Sequence, residues 1–316
     1  MNPIRGFKDG WYLRYSRVDR RPSALWSWPA RFLPAAQRAE IMRRVRSLQL
    51  PVDPLESADP PSIEVLLVTT RKDFPTLVHA ASSTIKHSRN PVSRIVLVTP
   101  EGDVEDARAL MQELALPVET LVLSEDAVLN EQARTRLREH FGWRYGWVLQ
   151  QFLCLAYTIT SEAPGVLILD SDTVLSRDRL FFDGRRQILM PTLEHHAPYY
   201  VFLRNVNPLF GTETNSYVSH HMLWQPSILC ELLQIVCDGD LGILAKYATQ
   251  YADMETASPF CVDYELYAQG IMAVHPELVA LAKWANSPAG REDLSTDLER
   301  HPGYSRFASV SFHSFL

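Results

Sequence analysis

Apolar and polar positions along the chain fall into blocks with two distinct periods. Residues 63–70, IEVLLVTT, are β-branched and apolar enough for a strand buried on both faces. Asp73 and Pro75 then open a helix with Leu77, Ala81 and Ile85 at helical spacing. RIVLVTP at 94–100 reads as a second buried strand, and the helix after it has Ala107, Leu110, Met111 and Leu114 as its inward stripe. VETLVLS at 118–124 is a third strand. A long helix over about residues 144–160 carries Val148, Phe152, Leu155 and Ile159 on one face and leads into VLILDSD. Strands and helices alternating in this order predict a parallel α/β sheet covered by helices on both faces.

In open parallel sheets ligands bind beyond the carboxyl ends of the strands, where Asp170 and Asp172 stand at the end of VLIL. Burying either carboxylate unpaired is costly, so the placement needs a reason. Chance is one: 18 Asp in 316 residues give roughly one D-x-D on uniform composition. A second copy, Asp238-Gly239-Asp240, does occur, but it follows the helical stretch ILCELLQIV and reads as a solvated helix end. Strand alternation continued past VLIL turns Asp170 and Asp172 to one side and Ser171 to the other. Two hard oxygen ligands converging there suit Mn²⁺ or Mg²⁺.

At 46% hydrophobic, the chain can bury a substantial core and reads as one large domain with an appendage. Its apolar runs fall short of the roughly 20 residues needed to cross a bilayer. The opening MNPIRGFKDGWYLRYSR lacks a secretory apolar region, so a cytoplasmic protein is expected. Cys154, Cys230, Cys237 and Cys261 show no C-x-x-C spacing and are expected to be buried free thiols. The net charge of −6 hides an asymmetry: residues 1–50 hold 11 Lys/Arg against 3 Asp/Glu, a net of +8, leaving −14 on the rest. This arm, with Trp11, Trp26, Trp28 and Phe32 among its arginines, suits either a peripheral contact with an anionic membrane or packing across the acidic body. Nucleic acid is not expected as a partner, because the body is itself acidic. The Pro-rich stretch PVDPLESADPPS at 51–62 links the arm to a domain over 63–316, which the family resemblance set out below divides into a nucleotide-binding half, 63–173, and an acceptor half, 174–316.

Two enzyme classes place carboxylates in this way. The haloacid-dehalogenase-like phosphotransferases carry D-x-D-x-T/V after an apolar strand, with the first Asp, here Asp170, as nucleophile and Val174 in the fifth place. They carry it on their first strand, whereas three strands precede it here, and no later G-D-x-x-x-D follows. A non-catalytic nucleotide- or glycan-binding protein is a further alternative. The other class is the nucleotide-sugar glycosyltransferases of the GT-A fold, and here the resemblance extends beyond D-x-D. The chain has Trp147 with Gln150 and Gln151, D-S-D-T at 170–173, Pro198-Tyr199-Tyr200, H-H-M-L at 220–223, D-Y-E-L-Y at 263–267 and a closing Ser311-Phe312-His313. In that order these elements resemble a bacterial family of DxD-containing GT-A glycosyltransferases, from about residue 63 to the end. Two positions depart from the pattern: Cys154 stands where the family has a lysine, and Asp263 where it more often has Glu.

The resemblance implies a Rossmann-like mixed sheet of the nucleotide-diphospho-sugar transferase type and a metal-dependent transfer from a nucleotide-diphosphate sugar, UDP favoured. The acceptor is a glycan or a lipid-linked glycan. Asp172 is implied as a direct ligand of Mn²⁺ or Mg²⁺, Asp170 as its partner on metal or ribose, and His313 as a late third ligand, although a lone His in an apolar run is ordinarily a core residue. Thr69, Thr70, Arg71 and Asp73 follow the first strand, where base, ribose and phosphate contacts are expected, with helix capping as the competing role for Asp73. Gln151 and Ser171 are also assigned to the donor. Asp263 and Glu265 are the candidate catalytic carboxylates, with helix capping as the competing reading. Glu194, His220 and His221 are candidates for acceptor contacts, with at most one of the two histidines facing the site.

Overall fold

A computed structural model describes residues 55–192, 196–211, 215–282, 286–294 and 307–313. The basic arm, the first four residues of the Pro-rich linker and Glu194 lie outside these residues. The first half runs β1 (Ile63–Val68), a 3-10 turn (Arg71–Asp73), α1 (Phe74–His87), β2 (Val92–Thr99), α2 (Val104–Leu114) and β3 (Glu119–Ser124), then α3 (Glu125–Val128), α4 (Glu131–Phe141), α5 (Tyr145–Thr158) and β4 (Val166–Leu169). There follow β5 (Thr173–Leu175), β6 (Gln187–Leu189), α6 (Ala197–Val206), β7 (His221–Trp224), α7 (Pro226–Cys237), α8 (Leu241–Tyr251) and α9 (Tyr264–Val274). The described chain closes with β8 (Val279–Leu281), β9 (Asn286–Gly290) and β10 (Ser309–His313).

The central sheet has the order β3-β2-β1-β4-β7. Its first four strands are parallel, and β7 runs antiparallel to β4 with Leu169 opposite His221. The pleat divides its side chains between two cores. Leu66, Val68, Val96, Val98 and Ile168 pack with α4, α5 and α7 to α9, while Val65, Leu67, Ile95, Leu97 and Leu167 pack with α1 and α2. The fold class is therefore a mixed α/β sheet, rich in parallel pairs, with helices on both faces. One residue breaks the apolar reading of β1. Glu64 is buried and accepts bonds from Tyr157 Oη and Ser161 Oγ, both at 2.7 Å, beside an ion pair with Arg94. Burial works to raise its pKa, but these donors outweigh burial and hold it below the usual carboxylate value.

Parallel strands all leave the sheet at one edge, so the segments after β1, β2 and β4 gather there, and antiparallel β7 enters from the same edge. A second sheet, β5-β10-β9, sits at that edge. In it Ser311 of β10 pairs with Thr173 of β5, and His313 pairs with Gly290 of β9. The other D-x-D is a helix junction: Asp238 closes α7 in the left-handed region, and Asp240 caps α8 by accepting from Gly242 N–H at 2.7 Å. Cys154, Cys237 and Cys261 are buried free thiols, but Cys230 is exposed, contrary to the expectation of burial.

Candidate functional site

Asp170 and Asp172 do not lie on a continuing strand. Residues 170–173 form a tight turn between β4 and β5, closed by Thr173 N–H donating to Asp170 O at 2.9 Å. The turn and its neighbours, rather than the pleat, aim the two carboxylates, and Ser171 between them is buried. Asp170 is held by three donors. Its Oδ1 accepts from Tyr264 Oη at 2.8 Å and from Gln150 Nε2 at 3.3 Å, and its Oδ2 lies 3.0 Å from His220 Nδ1. Asp172 Oδ2 lies 3.2 Å from Nδ1 of His313, and the backbone bond from Phe312 N–H to Asp172 O at 2.8 Å fixes β10 against the turn. The rings of His220 and His313 are 5.3 Å apart, so two aspartate–histidine pairs stand side by side.

His220, expected at an acceptor, is therefore a partner of Asp170. It stands one residue before β7 with φ of 61°, in the left-handed region. The other non-glycine residues there among those described, Ala115 and Asp238, are helix C-caps. His220 closes no helix, and such a backbone costs on the order of 1 kcal/mol or more unless its surroundings hold it. Its carbonyl accepts from Asp170 N–H at 3.0 Å, extending the β4–β7 ladder by one bond. His221 points the opposite way. It is buried in the core, edge-on to Phe181 at 6.0 Å, where burial pushes its pKa down to about 3.

The two glutamines of α5 divide their work. Consecutive helical residues point about 100° apart, so one meets Asp170 while Gln151 Oε1 accepts from Val262 N–H at 2.8 Å, ahead of α9. Gln150, not Gln151, is the residue at the carboxylate. Asp263 caps α9 through Tyr264 N–H at 2.7 Å, and its Oδ1 also accepts from Cys261 Sγ at 2.9 Å. Burial, with the charge of Asp170 adding to it, pushes its pKa up to about 6. Tyr264, missed in the sequence as a site residue, has its phenol pKa raised by burial and by Asp170, which keeps it a donor. Glu265 lies elsewhere. Its Oε1 accepts from Ser216 Oγ at 2.7 Å, Tyr217 N–H at 3.0 Å and Tyr200 Oη at 3.2 Å, and its Oε2 accepts from Gln269 Nε2 at 3.0 Å. With no exposed surface and both oxygens engaged, it ties α6, α9 and the segment before β7 together rather than facing a substrate.

After β1, Thr69 is buried and Thr70 Oγ1 donates to Asp73 Oδ2 at 3.2 Å. Asp73 makes no side-chain cap bond to α1 and instead pairs with the Arg291 guanidinium. Arg71, expected on a phosphate, is turned the other way. Its backbone N–H donates to Asp103 at 3.0 Å and its side chain pairs with Asp106 of α2, on the β2 side of β1 and away from β4. Arg291 was not foreseen, because it reaches Asp73 from 218 positions away.

Carboxylates and imidazoles are suitable ligands for a divalent cation. Neighbouring ligands on an octahedral cation with bonds of about 2.1 Å lie about 3 Å apart, and the two aspartate–histidine pairs have that spacing. Three such groups do not converge on one point among the described residues. The set matches a cation site in donor chemistry, while each aspartate is taken by its own histidine.

No curated protein gives a significant match to the chain. Among solved structures, the apo form of mouse xyloside xylosyltransferase 1 is similar, with 17% identity, a TM-score of 0.47 and coverage of 80% of this chain and 98% of that one. So loose a likeness carries no argument here. The profile of a family of unknown function (DUF6492) matches residues 76–275, from α1 to the end of α9, and takes in Asp170, Asp172, His220 and Asp263. That stretch is more than half of the chain, which belongs to this family of unknown function, DUF6492.

Proposed function

We propose that the protein is a metal-dependent glycosyltransferase that moves a sugar from a nucleotide-diphosphate donor, UDP-sugar favoured, to a glycan or lipid-linked acceptor. The observation that carries this reading is the turn at 170–172: two braced carboxylates at the carboxyl edge of a parallel sheet, beside the segment that leaves β1. That edge is where α/β sheets bind nucleotides, and the sequence resemblance assigns the same two aspartates to the donor.

In this reading Asp172 and His313 hold Mn²⁺ or Mg²⁺, with Asp170 and His220 alongside. The cation, when bound, offsets the charge that develops on the departing diphosphate. Thr69, Thr70 and Asp73 line the base and ribose end. The acceptor hydroxyl gives up its proton, its oxygen bonds to the anomeric carbon, and the bond from that carbon to the diphosphate breaks. Asp263 is the proposed proton acceptor, since a carboxylate moved toward neutral pKa takes a proton near its operating pH. Glu265 keeps the structural role its four donors give it. Glu194 remains a proposed acceptor contact.

No helix among the described residues is long and apolar enough to cross a membrane. Contact with a membrane-borne acceptor is assigned to the basic arm at residues 1–50 on its arginines and aromatic residues.

A thermal-shift panel of UDP, GDP, ADP and CDP with and without Mn²⁺ tests the reading through ligand linkage. One diphosphate should raise the melting temperature, and only with the cation. Asp172→Asn should abolish that rise while leaving the unliganded melting temperature within a few degrees. The absence of any nucleotide response in the wild-type chain would overturn the proposal.

A further inference from the structure

The donor site as read from sequence contains no phosphate-binding cation that the fold leaves in place. Cys154 occupies the position of the expected lysine and is buried, with its thiol pKa pushed up by burial and by the carboxylates of Asp263 and Asp170. Arg71 faces Asp106 on the far side of β1. A nucleoside diphosphate lying between the β1 exit and the Asp172–His313 pair would bring at least two negative charges beside Asp73, Asp170 and Asp172.

Arg291 stands in that interval. Gly290 pairs in register with His313, and Arg291 is the next residue, so its backbone starts beside the histidine that meets Asp172. Its side chain reaches the other end of the site, where the guanidinium pairs with Asp73 and Nη1 donates to Lys72 O at 2.7 Å. Of the five N–H groups on the rigid fork, these bonds use one on Nη1 and one on Nη2; among the others, Nε is shielded from solvent and has no hydrogen-bond partner. A shielded donor without an acceptor calls for an explanation, and a guanidinium edge matches the geometry of a phosphate. We propose that Arg291 is the diphosphate-binding residue of the donor site, reaching it from the second sheet in place of the missing lysine and using the N–H groups that its fork leaves uncommitted.

This inference rests on the reading of the site as a nucleotide-sugar site. It predicts a discrimination that a latch on Asp73 would not give. A residue that only steadies the β1 exit affects nucleoside and nucleoside diphosphate alike, whereas a phosphate ligand affects only the latter.

The test is titration of the full chain with UDP and, by competition, with uridine at saturating Mn²⁺, or with GDP and guanosine if the wild type selects guanine. Arg291→Gln is expected to weaken the diphosphate by on the order of tenfold or more, with the nucleoside changed less than about twofold. Arg291→Lys keeps the charge but loses the fork, and is expected to fall between the two. It carries the test if the glutamine variant does not fold. Equal losses for nucleoside and diphosphate, or no loss for either, would overturn the assignment. A wild-type chain that binds neither ligand would instead remove the function proposed above, and this inference with it.

Discussion

Asp263 and Glu265 are two positions apart at the start of α9 and both are buried, yet their partners give them different chemistry. Glu265 has four donors on its two oxygens, while Oδ1 of Asp263 meets one backbone N–H and a thiol. The Asp263 pKa is pushed by burial from an ordinary 3.8 to about 6. The folded state thus holds this proton more tightly than the unfolded chain, so stability from this group is present at low pH and is lost as pH rises from about 4 through about 6. A shift of that size amounts to about 3 kcal/mol at neutral pH. Asp263→Asn, which cannot ionise, should gain on the wild type over that window and run parallel to it above about pH 7, as followed by urea denaturation. A constant difference between the two from pH 4 to pH 7 would contradict the assignment. The sequence marked both carboxylates, with Asp263 ahead of Glu265, but not the partners that set them apart, because those of Glu265 at 200, 216 and 217 come from segments with no local pattern tying them to α9.

At the scale of elements, the strands and helices whose periodicity was strong are where the sequence put them: β1, β2, β3, α1, α2, α5 and β4. What periodicity could not give was the return of the chain. β10 crosses to β5 and β9 through side-chain bonds, with Ser311 Oγ 2.6 Å from Thr173 Oγ1 and Asn286 bonded to both Ser309 and Ser311. Three-residue strands such as β5 and β8 are also too short to show an alternation. The resemblance named His313 as a late ligand; the register of β10 shows how it arrives beside Asp172. Asn286→Ala removes the amide that ties β10 to β9 and should cost about 1–3 kcal/mol of local stability. Amide hydrogen exchange at residues 309–313 should then rise, and Mn²⁺ affinity should fall with it. Unchanged exchange there would show that β10 is held by its backbone ladder alone.

At the scale of the molecule, the C-terminal segments complete a site whose carboxylates the first half supplies. β7 delivers His220 to Asp170, β10 delivers His313 to Asp172, and the turn after β9 delivers Arg291 to Asp73. The fold class and the first pair of aspartates were legible in the sequence because both depend on local order. The convergence of these separate segments on one edge was not, since it depends on pairings between distant positions. The central claim is that this edge holds a cation through Asp172 and its neighbours. Its most direct test is a crystal of the full chain grown with Mn²⁺ and UDP, with diffraction recorded on both sides of the manganese absorption edge. An anomalous peak within about 2.3 Å of Asp172 Oδ2, with His313 or Asp170 completing the set, is the expected result. Nucleotide bound with no anomalous peak at these residues, and both aspartates still on their histidines, would contradict it.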